Sequence, residues 1–409
     1  MNYTIFETFV GAGGSHLGFK NNGFKSIFVN DIDKDCIETL LYNNPEIKDT
    51  AIVSIEDFMN LNTKQLLKEM NINKGDIDVM FGGIVCKGFS LAGEKSPNDK
   101  RNFYYRQQLN LVNDLRPKIS IIENVPGIIN AEIISDDTPN NIKERIDKLW
   151  KEIENYKGFK ANARKVNKIT KELEKKGLDL RKRKEELVSY LKSNGYLISV
   201  SDDIEKIYNK IGYKLYKKVL NSAWYGAYTK RERIIIVAIR NDIPFEFEYP
   251  NPIYNDEKEY KTVGEALKLI KKDKNDKDNI PMNHNEKTKK RFKYIKEGEN
   301  LAEKIDKLPK DLKISKFYSR GSTMRLDSKK SSPTLVPGHS NFPIHPFEDR
   351  SITVREAATI TGFPLNYKFF GSHSKRCEEV GNAVPPPLSS AIAKECKKLL
   401  DKYYKSKLK

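Results

Sequence analysis

Residues 3–19 read YTIFETFVGAGGSHLGF. The apolar, aromatic and β-branched stretch 3–10 predicts a strand, GAGG at 11–14 a turn, and SHLGF a helix start. A second strand, FKSIFVNDID at 24–33, ends in acid. Strand, glycine turn, helix, strand, acid is the layout of a nucleotide-type cofactor site. The glycines let a ligand approach the backbone, and Asp31, about 20 residues on, is placed to accept from ribose hydroxyls. G-A-G-G is shorter than G-x-G-x-x-G, and tight turns use such glycines with no ligand at all.

The alternation continues through IDVMF (77–81), RQQLNLVNDLRP (106–117), KISIIENV (118–125) and RIIIVAI (233–239). The strands are apolar on both faces, as in a parallel sheet covered on two sides. The predicted fold is α/β, a doubly wound, mostly parallel sheet. Ligand-binding groups gather at the carboxyl ends of such strands. GGIVCKGFS at 82–90 follows one strand and Glu123 ends another. Taken alone, Cys86 reads first as a buried small hydrophobe, and Glu123 equally as a salt-bridge partner. Side by side at strand ends, near arginines, they form a nucleophile-plus-acid arrangement.

The chain has 409 residues, 38% of them hydrophobic, which allows one large domain with a lobe or two to three domains. Its formal net charge of +18 suits a polyanionic partner, although a lysine-rich genome produces the same excess. Cysteines at 36, 86, 377 and 396 include no C-x-x-C pair, and the five histidines show no ligand spacing, so no metal site is expected. Cys36, Cys377 and Cys396 read as helix packing. No apolar run approaches a membrane span, and a reduced, cytoplasmic compartment is expected.

In order along the chain stand FVGAGGSHLGF, NDID, IEDF, GGIVCKGFSLAG, DKRNFYY, IIENVPGII, LNSAWYGAYTKRERIIIVAIR, REAATITGFP and EEVGNAVPPPL. This series resembles the motifs of the C5-cytosine DNA methyltransferase family. The resemblance covers most of residues 1–130, 205–243 and 330–400, and its specificity lies in the order of many motifs. It implies S-adenosyl-L-methionine as cofactor. Phe9, Gly11, Gly13 and Gly14 would form the first turn, Asp31 would take the ribose, Ile32 would pack on adenine and Asp57 would take its amine. Tyr104 would lie near the methionine part, and Asn382 would reach the site from the far end of the chain.

The chemistry suits these residue types. Carbon 5 of cytosine is a poor nucleophile until a thiolate adds at carbon 6, and a thiolate is also a workable leaving group. Cys86 is the expected nucleophile. Glu123 would offset the ring's charge at nitrogen 3, Arg233 would orient Glu123 and contact the base carbonyl, and Arg231 would hold a phosphate. A duplex cytosine must be flipped out to reach them. Arg101 would support the DNA backbone or the loop carrying Cys86, Ser90 reads as a turn or helix cap near the DNA, and Lys87 either touches a phosphate or is solvated. Departures from the family pattern are Val85 for proline, Lys87 for glutamine, and Tyr228-Thr229 for Pro-Gln. Proline fixes φ, so Val85 puts the stiffness of this loop in question.

Two segments lie outside the shared core. Residues 131–200 carry 17 Lys/Arg and 12 Asp/Glu, with Ile142, Ile146, Trp150 and Ile153 at helical spacing, and predict a helical hairpin inserted into the catalytic lobe. It reads as a solvated insert or as a helix pair that clamps DNA or binds a partner. Residues 244–330 carry 22 Lys/Arg and 16 Asp/Glu and correspond to the family's target-recognition region. There KTKKRFKYIK (287–296) reads as a phosphate-tracking stretch, and Arg320 or Arg325 as base readers. The expected division is therefore catalytic lobe 1–130 and 201–243, insertion 131–200, recognition region 244–330 and returning segment 331–409. The helix within the last segment, apolar at 388, 392, 396 and 399, would fold back beside the N-terminal unit. These observations predict a monomeric cytosine-5 methyltransferase acting on double-stranded DNA, partnered by a cognate restriction endonuclease. A tRNA cytosine methyltransferase and a non-catalytic DNA-binding regulator are the alternatives.

Overall fold

The computed structural model describes residues 3–84, 96–99, 103–165, 168–271, 273, 275–314, 323–336 and 342–408. Its strands in chain order are β1 (Tyr3–Thr8), β2 (Phe24–Asn30), β3 (Ile52–Ser54), β4 (Val79–Gly83), β5 (Ile119–Asn124), β6 (Glu132–Ile134), β7 (Leu197–Ser199), β8 (Tyr213–Asn221), β9 (Thr229–Lys230), β10 (Glu232–Arg240) and β11 (Ser332–Pro333). Seven of them form one sheet in the order β3-β2-β1-β4-β5-β10-β8. The pairs β1–β2, β2–β3, β1–β4 and β4–β5 are all parallel. The order reverses between β1 and β4, which makes their carboxyl ends the switch point where such sheets bind ligands.

The centre of the sheet forms where the strands are most apolar. Tyr3, Ile5, Val79, Phe81, Ile119 and Ile121 share one core cluster with Leu388, Ile392, Cys396 and Leu399. The alternate residues Phe6, Met80, Ile122 and Ile236 are buried as well, so both faces are covered. The last helix, Pro386–Lys407, packs on the first, Gly14–Lys20, as its apolar stripe predicts. A Cβ on Gly18 would lie 2.2 Å from Ser389 Oγ, so only glycine permits the approach.

The chain forms two compact units. The first comprises Met1–Gly83, Leu111–Glu123 and Lys214–Lys409; the second comprises Ile84–Asn110 and Asn124–Tyr213. Residues 244–330 thus belong with the sheet, whereas 84–110 and 124–130 belong with the inserted segment. In the second unit β6 and β7 pair antiparallel at the base of two long helices, Asn140–Lys165 and Lys171–Ser193. These helices pack through Ile146, Trp150, Ile153, Leu180 and Leu187, and Glu152 pairs with Arg183 at 2.8 Å across the hairpin.

Candidate active site

The glycine turn follows β1. Phe9 and Gly11 both have positive φ, 53° each, and the Phe9 ring packs on Phe58 at 4.6 Å between centroids. Gly13 (φ 86°) caps the first helix, and a Cβ there would meet Leu40 Cδ1 at 2.7 Å and Tyr367 Oη at 2.8 Å. On Gly14 it would meet the Val384 carbonyl at 2.3 Å. The turn is therefore folded against the end of the chain, and Tyr367 Oη donates to the Ala12 carbonyl at 2.6 Å. At Gly11, by contrast, a Cβ would meet nothing within 4 Å, so open space lies in front of the turn.

Asp31 stands just past β2. One carboxylate oxygen accepts from Gly11 N–H at 2.9 Å and the other from Asp33 N–H at 3.0 Å. Burial raises its pKa above the usual carboxylate value. Each oxygen keeps a lone pair for a hydroxyl donor. Ile32 beside it is an apolar side chain left 66% exposed. Asp57 is exposed and caps a short turn through Met59 N–H at 2.9 Å. The open glycine turn, the buried carboxylate with spare acceptor capacity and the uncovered isoleucine fit a cofactor with adenine and ribose parts. Asn382 is exposed at the end of the helix His373–Asn382. Tyr104 begins the helix Tyr104–Leu115 and belongs to the second unit.

Glu123, 8% exposed, lies at the carboxyl end of β5, where Gly83 of β4 pairs with it. A Cβ on Gly83 would stand 3.6 Å from the Phe9 carbonyl and 3.7 Å from Glu123 Oε2, so glycine turn and carboxylate flank one strand end. Arg233 Nε donates to Glu123 Oε1 at 2.8 Å, with side chains 12% and 11% exposed. That bond fixes one carboxylate oxygen and turns the other toward β4.

Two sequence expectations are corrected. Arg231 does not stand at the surface to hold a phosphate: it is 5% exposed and donates to the Asn382 carbonyl at 3.1 Å. Burial, with Arg233 nearby, lowers its pKa. Arg231 thus ties the strand bearing Arg233 to the segment bearing Asn382. Arg325 reads no base edge. It is 6% exposed and its donors are taken by the carbonyls of Phe292, Ile295, His345 and Glu348 and by Asp349. Cys86, Lys87, Ser90, Arg101 and Arg320, with Val85, lie outside the described residues. Of the other departures, Tyr228 and Thr229 join the returning segment, where β9 pairs with β11 and Thr229 Oγ1 donates to the Pro333 carbonyl at 3.0 Å.

Sequence reasoning missed a buried cluster under the turn, in which Glu7 accepts from His16 Nδ1 at 2.8 Å and from Ser26 Oγ at 2.9 Å. It also missed Glu379, buried with Oε2 accepting from Thr39 Oγ1. Neither has a sequence signal, since each is a polar residue inside an otherwise ordinary helix or strand. Among the described residues no group of His, Cys, Asp and Glu could hold a metal ion, and no helix is long and apolar enough to cross a membrane.

Fold and site together define a doubly wound α/β protein whose glycine turn and Glu123–Arg233 pair flank the carboxyl end of β4. A family model described as C-5 cytosine-specific DNA methylase matches residues 3–149 and 186–398, and the chain belongs to that family. It is a DNA cytosine-5 methyltransferase of the type II kind. Type II methyltransferase M.Eco47II of Escherichia coli is 28% identical, covering 98% of this chain and 81% of that protein. M.PspPI of a Psychrobacter species is 27% identical, covering 98% and 80%. Among solved structures, a protein encoded within an Escherichia coli prophage has a TM-score of 0.63 at 22% identity, covering 98% of this chain and 99% of its own. The S. pombe Dnmt2 methyltransferase has 0.57 at 14%, covering 98% and 99%.

Proposed function

We propose that this chain methylates carbon 5 of a cytosine flipped out of a short duplex site, through a covalent adduct between Cys86 and carbon 6. The observation that carries the reading is the Glu123–Arg233 pair at 2.8 Å, held beside the glycine turn and beside Gly83, which stands three residues before Cys86 in the sequence. When bound, S-adenosyl-L-methionine supplies an electrophilic methyl group. Gly11 and its neighbours would cradle it, Asp31 would accept from the ribose, Ile32 would pack on adenine, Asp57 would take the amine, and Tyr104 and Asn382 would contribute to its binding.

The Cys86 thiolate adds to carbon 6, the 5,6 double bond opens, and carbon 5 gains enamine character. Glu123 shares a proton with ring nitrogen 3 and offsets the charge that addition places on the ring. Arg233 holds Glu123 in line and donates toward the base carbonyl. Once carbon 5 carries the methyl group, it loses its proton to a base, the carbon–sulfur bond breaks and the thiolate leaves. The base must leave the stack for any of this, and exposed Lys287, Lys290, Lys293 and Lys296, with Lys87, Ser90, Arg101 and Arg320, are suited to hold the DNA around it.

The test is transfer of labelled methyl to duplex DNA, followed by sequencing for the modified base. Cys86→Ser is expected to abolish transfer; undiminished transfer would overturn the mechanism. Transfer to RNA alone would replace the acceptor.

A further inference from the structure

The hairpin of the second unit has two halves of different chemistry. The half nearest β6 and β7, residues 140–156 and 178–196, where Tyr156 meets Gly177 and Glu152 meets Arg183, carries 9 Lys/Arg and 7 Asp/Glu. The distal half, residues 157–177, carries 8 Lys/Arg and 2 Asp/Glu, a net of +6, against +18 for the whole chain. A lysine-rich genome would spread the excess evenly over both halves. Here it is segregated.

Packing changes at the same point. Tyr156 closes the apolar cluster, and no described residue from 157 to 172 enters it. Gly177 makes this closure possible, because a Cβ there would lie 2.1 Å from Tyr156 Oη. Beyond it, Phe159 is 69% exposed. Lys157, Arg164, Lys168, Lys171, Lys175 and Lys176 are exposed on both helices and the turn between them. Like charges this dense repel one another and weaken a helix pair. The family match stops at residue 149 and resumes at 186, so this half lies outside the shared catalytic core.

We propose that residues 157–164 and 168–177 form a second DNA-binding surface, which grips the phosphate backbone of duplex DNA outside the recognition site without reading its sequence. The proposal rests on the DNA-methylating reading above. The helical turns past Tyr156 extend about 14 Å at 1.5 Å per residue, a length that faces roughly eight backbone charges. Phe159 supplies apolar contact to the sugars between phosphates. Backbone neutralisation needs clustered, solvent-exposed cations, which Lys168, Lys171, Lys175 and Lys176 provide.

The test compares wild type with a variant carrying Lys168→Gln, Lys171→Gln, Lys175→Gln and Lys176→Gln, all exposed and outside the apolar cluster. Binding to duplexes of about 14 and about 40 base pairs, each with one site, is measured across salt concentration, with methyl transfer in parallel. Wild type is expected to bind the longer duplex more tightly and with a steeper salt dependence. The variant is expected to lose that difference: its log–log slope falls by about 0.9 per phosphate contact removed, and affinity for the longer duplex drops about tenfold at 0.15 M salt. Its affinity for the short duplex and its turnover at saturating DNA stay unchanged. Lysine-to-arginine changes at the same four positions restore the slope. Equal slopes in wild type and the glutamine variant overturn the proposal, as does loss of binding to an acidic protein with DNA affinity intact. If wild type binds DNA through this surface but methylates none, the catalytic reading fails and the surface stands.

Discussion

Glu123 and Glu379 show how differently one side chain behaves in two settings. Glu123 has Arg233 on one oxygen and the strand end of β4 before the other. Glu123→Gln keeps the shape and removes the shared proton, so kcat is expected to fall by about 10² to 10⁴ with cofactor affinity held. Single-turnover methyl transfer and equilibrium cofactor binding check the two halves of that statement. Among the described residues no cation pairs with Glu379 and its Oε1 has no hydrogen-bond partner. Burial, with Asp33, Asp35 and Asp278 nearby, pushes its pKa up to about 9. An acid whose folded pKa is raised holds a proton that the unfolded chain releases. Its contribution is complete below the unfolded value of about 4.5 and is lost as pH climbs toward 9. Glu379→Gln imitates the neutral form. Its melting temperature should match wild type at pH 5 and exceed it by a few °C at pH 9; an equal gap at both pH values would remove the assignment.

Among elements, the contact between the first and last helices carries the site. A Cβ on Gly18 would sit 2.2 Å from Ser389 Oγ and 2.4 Å from Ser390 N, where backbone has no room to give. Gly18→Ala is expected to cost about 1–3 kcal/mol and to weaken cofactor binding, because the same helix begins at the glycine turn. Thermal unfolding and cofactor titration measure both, and an unchanged melting temperature would show that the helices can separate. The sheet, the glycine turn, the acid after β2 and the returning helix were legible in the sequence, because each is stated by apolar periodicity or by residues that only one backbone shape accepts. Arg231 and Arg325 were not. An arginine in a basic loop looks the same whether it grips a phosphate or five atoms of its own chain, and only three-dimensional neighbours decide. The Glu7–His16–Ser26 cluster was illegible for a similar reason: its members are close only after β1, β2 and the first helix have packed.

Across the whole molecule, sequence distance and spatial distance part company. Gly14 abuts Val384, Ala12 accepts from Tyr367, and Tyr3 bonds Asp401. The residues 124–213 of the second unit, in contrast, are contiguous and locally paired. On the ribosome these two parts mature on different clocks. Asp31 is synthesised early, but the turn it bonds has no seat until the chain has passed residue 384. At 5–20 residues per second the interval is roughly 20 to 70 s. During that time a nascent chain carries its glycine turn, its cysteine and its basic hairpin while the residues that seat the turn are still unmade.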